Sequence, residues 1–304
     1  MIFFGIYYQI MSQTSNSNTT FEPFADPSKP VRHIVSMSGG KDSTALALHI
    51  SQTRPELDVE YVFCDTGSEM DETYQYLNQI EAFLGKKILR LPQDMEGGTK
   101  YHGFEHWLKV FGGLLPSPQM RWCTAQLKLK PFEEFVGDDN VYSYIGIRAD
   151  EDRSGHLTAK PNIRTVFPFK EDGIDYKGVM KILEDSGIGM PPYLEWGRTH
   201  SGCYFCFYQK PIEWVRLLEK HPEKFDQAQA FEKVSDEPGK SFSWIQGMPL
   251  TELRKPENVS GIKERYAKRQ EMLKKKRGNK KLVETLCGLE GDDDEEVSCL
   301  ICQK

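Results

Sequence analysis

Two spacings of apolar residues alternate along the first half of the chain. Ile34-Val35-Ser36-Met37 is a short apolar run ending in glycines, the pattern of a strand buried in a parallel sheet. Residues 44–51 follow with Ala45, Leu46, Leu48, His49 and Ile50, which suits a helix packed on that sheet. A second strand is expected over 59–64. Residues 72–84 then place Tyr76, Leu77, Ile80, Phe83 and Leu84 at helical spacing. A third strand is expected at 87–91 and a fourth at 141–147. Strands separated by helices of this length predict right-handed βαβ units and a mostly parallel, twisted sheet.

Past residue 150 the pattern changes. Residues 150–164 are polar and read as a loop over the site. A short helix is expected at 176–186, and a helical region broken at His221-Pro222 at 213–233. Residues 263–281 hold ten Lys/Arg against two Glu. The chain then turns acidic over 290–296 and ends in Ser298-Cys299-Leu300-Ile301-Cys302. These shifts suggest four parts: a flexible leader (1–30), an α/β domain (31–215), a helical basic extension (216–285) and an acidic Cys-containing tail (286–304). No internal repeat is evident.

Composition narrows the classes. With 38% hydrophobic and 28% charged residues over 304 positions, a disordered or fibrous chain is excluded. Lys and Arg number 39 and Asp and Glu 45, a net −6 that argues against a basic nucleic-acid coat. The run at 263–281 could contact phosphates, but such runs are more often one solvated helix face, so nucleic acid is not the favoured partner. Seven cysteines are too few for a disulfide-rich secreted scaffold. No stretch reaches the roughly 18 apolar residues that cross a bilayer. The opening MIFFGIYYQIM is short and lacks a basic region and a cleavage site, so it is a poor signal peptide, and Met11 is a second candidate start. A cytoplasmic protein with no membrane partner is expected.

The sharpest chemical signal is Ser38-Gly39-Gly40-Lys41-Asp42-Ser43, after a strand and at the start of a helix. Two glycines let backbone approach a ligand closely, and amides at a helix N-terminus favour an anion. Lys41 adds positive charge, and Ser38 and Ser43 add hydroxyls. The spacing is not that of a Walker A loop.

This hexapeptide resembles the SGGxDS signature of the PP-loop ATP pyrophosphatase superfamily. The resemblance implies an adenine nucleotide α-hydrolase-like fold: a three-layer α/β sandwich with a mainly helical C-terminal region. It also implies binding of ATP with Mg²⁺ and cleavage between the α and β phosphates. Further segments are similar to the phosphoadenosine phosphosulfate (PAPS) reductase branch. They are Cys64-Asp65-Thr66-Gly67 with Glu69, Glu72-Thr73-Tyr74, Arg121-Trp122-Cys123-Thr124 with Lys128 and Pro131, Gly146-Ile147-Arg148, and Gly202-Cys203-Tyr204-Phe205-Cys206. Together these cover about residues 30–215 in matching order.

Two departures from the reductases stand out. The loop keeps its lysine, as in the ATP-hydrolysing sulfur-metabolism members. The reductases' C-terminal ECGLH motif is reduced to Cys287-Gly288-Leu289, flanked by Leu286 and Glu290. The resemblance implies nucleotide contacts from Ser38, Gly39, Gly40, Lys41, Asp42, Ser43, Asp65 and Gly146, with Lys41, Asp42 and Arg148 in catalysis. It implies metal ligation by Cys123, Cys203 and Cys206 as a [4Fe-4S] cluster. The fourth ligand stays open among Cys64, Cys287, Cys299 and Cys302, and zinc with His200 is the alternative. Arg148, Arg153, Arg164 and Arg198 are candidates for clamping a second anionic substrate.

The expected activity is ATP-dependent sulfur transfer or adenylylation of an unidentified acceptor, with a thiol or sulfur donor protein as a further partner. The alternatives are thiol-dependent reduction of PAPS and a nucleotide-binding subunit without turnover. His102 and His106 receive no role, and Trp196, Trp214 and Trp244 are expected in packing.

Overall fold

A computed structural model of the chain describes residues 24–92, 102–152, 160–233 and 241–278. Its strands are β1 (Val31–Met37), β2 (Val59–Cys64), β3 (Ile88–Leu91), β4 (Asn140–Tyr144) and β5 (Ile163–Val166). They form one sheet in the order β3-β2-β1-β4-β5, and every neighbouring pair is parallel. The helices are α1 (Lys41–Thr53), α2 (Asp71–Leu84), α3 (Phe104–Val110), α4 (Trp122–Thr124), which continues through a π-helical turn (Ala125–Leu129) into α5 (Lys130–Val136), α6 (Pro168–Glu171), α7 (Tyr176–Ser186), α8 (Pro211–Lys220), α9 (Pro222–Ala230), α10 (Leu250–Leu253) and α11 (Pro256–Gly278).

Successive strand side chains point to opposite faces of a sheet, and both faces here are apolar. Val35, Met37, Tyr61, Phe63, Tyr142 and Tyr144 enter one core with α1, α2 and α7. Ile34, Val62, Cys64, Val141 and Ile163 enter a second core with Phe132 and Val136 of α5. The result is the expected three-layer α/β sandwich on an all-parallel sheet, followed by helices. A third core is built largely from aromatic side chains, including Phe104, Trp122, Phe205, Trp214, Phe225 and Trp244. It draws on residues 70–262, and α8 runs across residue 215, so packing is continuous past that position.

Most elements fall where periodicity places them. The break between α8 and α9 sits at His221 because Pro222 has no amide to continue the ladder. Two expectations are corrected. The fourth strand ends at Tyr144 rather than 147, so residues 145–148 leave the sheet as an irregular turn. The polar stretch 150–164 is not all loop, because Ile163 begins the edge strand β5. Four residues with only Ile163 and Val166 buried make too short an alternation to stand out from a polar surround. Among the described residues, no helix is long and apolar enough to cross a membrane.

Candidate functional site

The chain leaves β1 toward β2 on one side and runs from β4 to β5 on the other. The carboxyl ends of β1 and β4 therefore flank a topological switch point, the place where open parallel sheets leave a crevice. The loop from Ser38 to Gly40 leaves β1 at this point, and α1 begins at Lys41. Gly39 sits at φ +67°, and a Cβ there would lie 2.8 Å from the Thr73 methyl. A Cβ on Gly40 would lie 2.7 Å from Ser201 Oγ. Both glycines therefore pack directly against neighbouring side chains, and Gly39 also needs the left-handed backbone that glycine adopts without strain.

Hydroxyls hold the loop amides. Ser38 N donates to Ser43 Oγ (3.2 Å), Gly40 N to Ser38 Oγ (3.3 Å) and Lys41 N to the Tyr193 hydroxyl (3.3 Å). Ser38 and Ser43 hydroxyls lie 2.9 Å apart, and Ser201 Oγ donates to Ser38 Oγ at 3.4 Å.

A charged group lies beside the loop. Asp42 accepts Lys41 Nζ at 3.0 Å and Arg148 at 3.2 Å, one on each carboxylate oxygen. Arg148 also pairs with Asp150 (3.0 Å) and the buried Glu151 (2.7 Å). Burial works against the Arg148 charge, but these carboxylates outweigh it and raise its pKa. Lys41 Nζ and the Arg148 guanidinium both face the Tyr176 ring, at 5.8 and 5.6 Å. The turn after β4, with Gly146 buried in it, delivers Arg148 to α1. The residues expected at the loop and at 146–148 are thus brought together.

At the tip of β2, Asp65 accepts Gly67 N (2.8 Å) and the Tyr74 hydroxyl (2.7 Å) on the same oxygen. Glu69 is buried beneath it. Its Oε1 accepts Thr66 Oγ1 at 3.1 Å, and its Oε2 meets no hydrogen-bond partner among the described residues. Burial pushes the Glu69 carboxyl up, with Lys128 opposing and Asp65 adding to the rise.

Segment 192–210 forms the facing wall, and side chains tie it down. Trp196 Nε1 donates to Glu72 (2.7 Å), Tyr204 N to Ser68 O (2.9 Å), and the buried Arg198 to the carbonyls of Gly202 (2.9 Å) and Cys203 (2.5 Å). Arg198 is thus spent on holding the GCxxC turn. Arg164 stacks over Phe24, with its guanidinium 5.0 Å from the ring centroid. Of the three described arginines named from sequence, Arg148 is the one joined to the loop, and Arg153 lies outside the described residues.

Cys203 and Cys206 share one turn, and Cys123 packs against the same aromatic core. Cys203 Sγ lies 3.1 Å from Thr66 Oγ1 and 3.7 Å from Glu69 Oε1, and burial together with the Glu69 charge pushes its thiol up. Cys64 donates to Lys128 O from inside the sheet core. Among the described residues, no three His, Cys, Asp or Glu side chains converge as a metal site. The described residues by themselves thus do not assemble a site for a [4Fe-4S] cluster or zinc. Cys287, Cys299 and Cys302, with the rest of the acidic tail and residues 1–23 of the leader, lie outside the described residues.

Sequence reasoning missed Asp150, Glu151, Tyr176, Tyr193 and Ser201. Tyr176 opens a helix whose period reports its buried face and not this contact, the other four sit in aperiodic polar or Pro-rich stretches, and the fold brings all five to the site. His102 and His106 stack on each other at 3.8 Å, and Trp196, Trp214 and Trp244 are buried as expected.

The phosphoadenosine phosphosulfate reductase domain model matches residues 32–233. Over 127 residues the chain is 37% identical to an uncharacterized protein of Methanocaldococcus jannaschii, covering 40% of this chain and 24% of that protein. An uncharacterized nin region protein of Escherichia phage lambda is 33% identical over 155 residues, covering 43% of this chain and 52% of the phage protein. The matched stretch thus spans about a quarter of one relative and about half of the other. Among solved structures, the PAPS reductase of Candida auris in its phosphate complex aligns at TM-score 0.44 and 16% identity, covering 58% of this chain and 82% of that one.

Proposed function

The chain belongs to the phosphoadenosine phosphosulfate reductase domain family, and from that premise we propose that it is an enzyme that binds ATP at the loop from Ser38 to Ser43 and cleaves it between the α and β phosphates. One observation carries the reading: Lys41 and Arg148, from different strands' loops, meet over Asp42 beside the Gly39-Gly40 turn at the start of a thirteen-residue helix. Two cations and a helix N-terminus at one point suit phosphate oxygens, which would displace carboxylates from them.

Incoming phosphate oxygens compete with Asp42 for both cations. Guanidinium and ammonium charges held in place then stabilise the negative charge that builds on pyrophosphate as it leaves. The AMP group passes to an acceptor oxygen in adenylylation, or the energised nucleotide serves sulfur transfer. Mg²⁺ needs few protein ligands when phosphates supply the rest, so Asp42 is the loop carboxylate that would hold it, and the ion would neutralise phosphate charge.

Pyrophosphate release from ATP tests this. Lys41→Ala is expected to lower the rate about 10²–10³-fold while the chain stays folded. Unchanged release by the folded variant overturns the assignment.

A further inference from the structure

Three loop amides, those of Ser38, Gly40 and Lys41, each donate to a hydroxyl. Two of those hydroxyls, Ser43 and Ser38, belong to the loop itself. The third comes from Tyr193, 152 residues downstream on the facing wall. A hydroxyl that accepts an amide proton still has its own proton to give. For Ser38 and Ser43 that proton has a neighbour, because the two hydroxyls lie 2.9 Å apart and Ser43 also donates to Gly40 O at 3.1 Å. Tyr193 differs. The residue is only 4% exposed, and among the described residues its hydroxyl makes no hydrogen bond besides the one it accepts from Lys41 N. A buried donor left unmatched is unfavourable, so the position calls for an acceptor that the protein does not supply.

We infer that Tyr193 is a phosphate-binding residue, whose hydroxyl accepts the Lys41 amide and donates its proton to an oxygen of the bound phosphate chain. The surroundings define that acceptor's chemistry. The hydroxyl sits over the first amide of α1, where an anion is favoured. Asp42 takes Lys41 on one oxygen and Arg148 on the other, and no hydrogen bond joins it to the Tyr193 hydroxyl. Burial and the nearby Asp42 charge both push Tyr193 ionisation well up, so the phenol keeps its proton near neutral pH. Ser201 Oγ, 3.4 Å from Ser38 Oγ, anchors the same wall to the other end of the loop. Anchored there, segment 193–201 closes over the glycine turn and contributes to the cradle.

The inference rests on the nucleotide reading above, and calorimetric titration with pyrophosphate and with adenosine separates the two. Wild-type chain that binds neither probe overturns both. If wild type binds, Tyr193→Phe is expected to lose about tenfold in affinity for pyrophosphate and to keep its affinity for adenosine. Equal pyrophosphate affinity, or the same loss for both probes, overturns the role of Tyr193 and leaves the nucleotide reading standing. Should the variant not fold, hydrogen exchange at the Lys41 amide of the wild-type chain decides. Saturating pyrophosphate is expected to slow it, because the hydroxyl becomes locked between amide and phosphate, and an unchanged rate overturns the proposal.

Discussion

The parallel sheet and the region from Arg198 to Ile262 satisfy their backbone groups in different ways. In the sheet, neighbouring strands do it: β1 pairs on both sides with β2 and β4 in continuous register. Side chains there are left to pack. The later region has short helices joined by irregular turns, so side chains take up the backbone groups. Glu213 accepts the amides of Thr199 (2.6 Å) and Lys210 (2.9 Å), and Glu232 those of Trp244 (2.9 Å) and Leu250 (2.7 Å). Trp244 Nε1 donates to Ala228 O (2.8 Å) and Gln209 to Tyr204 O (2.7 Å). Buried amides and carbonyls must be paired somewhere. Where no ladder does it, single polar side chains become structural, and the wall facing the loop depends on them.

That contrast can be broken most easily at Glu213. It is fully buried, and Glu213→Ala leaves two amides without their acceptor, at about 1–3 kcal/mol each. One of the two, Lys210 N, is the N-cap amide of α8, so the same loss weakens the start of that helix. Urea unfolding is expected to show this loss to be larger than for Glu81→Ala, which removes one acceptor, that of Ile88 N, from the partly exposed side of α2. Equal losses would mean that the two regions are not built differently.

A smaller effect is expected at Gly39. Gly39→Ala places a side chain at φ +67°, at about 1–2 kcal/mol, and drives its Cβ into the Thr73 methyl. Adding Thr73→Ser removes that methyl and is expected to recover only the clash. Thermal unfolding of the single and double variants separates steric from backbone strain.

The smallest effect concerns pH. Burial pushes the Glu232 carboxyl up, with the two amide bonds opposing. The folded chain therefore holds this proton more tightly than the unfolded one. Its contribution to stability is fully present below the unfolded value of about 4.3 and is lost as pH rises through the folded value. Glu232→Gln abolishes that titration, so its stability relative to wild type is expected to improve between about pH 4 and about pH 7. Urea midpoints at both pH values check it, and a relative loss over that interval would contradict the assignment.

Sequence pattern and tertiary structure divide the explanation of this molecule along the same line. Residues 34–91 declare their strands and helices because each buries a regular face, and local period reports such a face directly. Ser38-Gly39-Gly40-Lys41-Asp42-Ser43 is legible for a related reason: its job is done by consecutive residues in one turn. Arg148 was reachable through the glycine turn at 146. Tyr193, Tyr176 and Ser201 were not, because their meaning lies in what they touch across more than a hundred residues of chain, and local pattern carries no trace of that contact. A loop's own backbone can be read from neighbours in sequence, whereas the wall that closes over it is decided only when distant segments pack and must satisfy each other's buried hydrogen bonds.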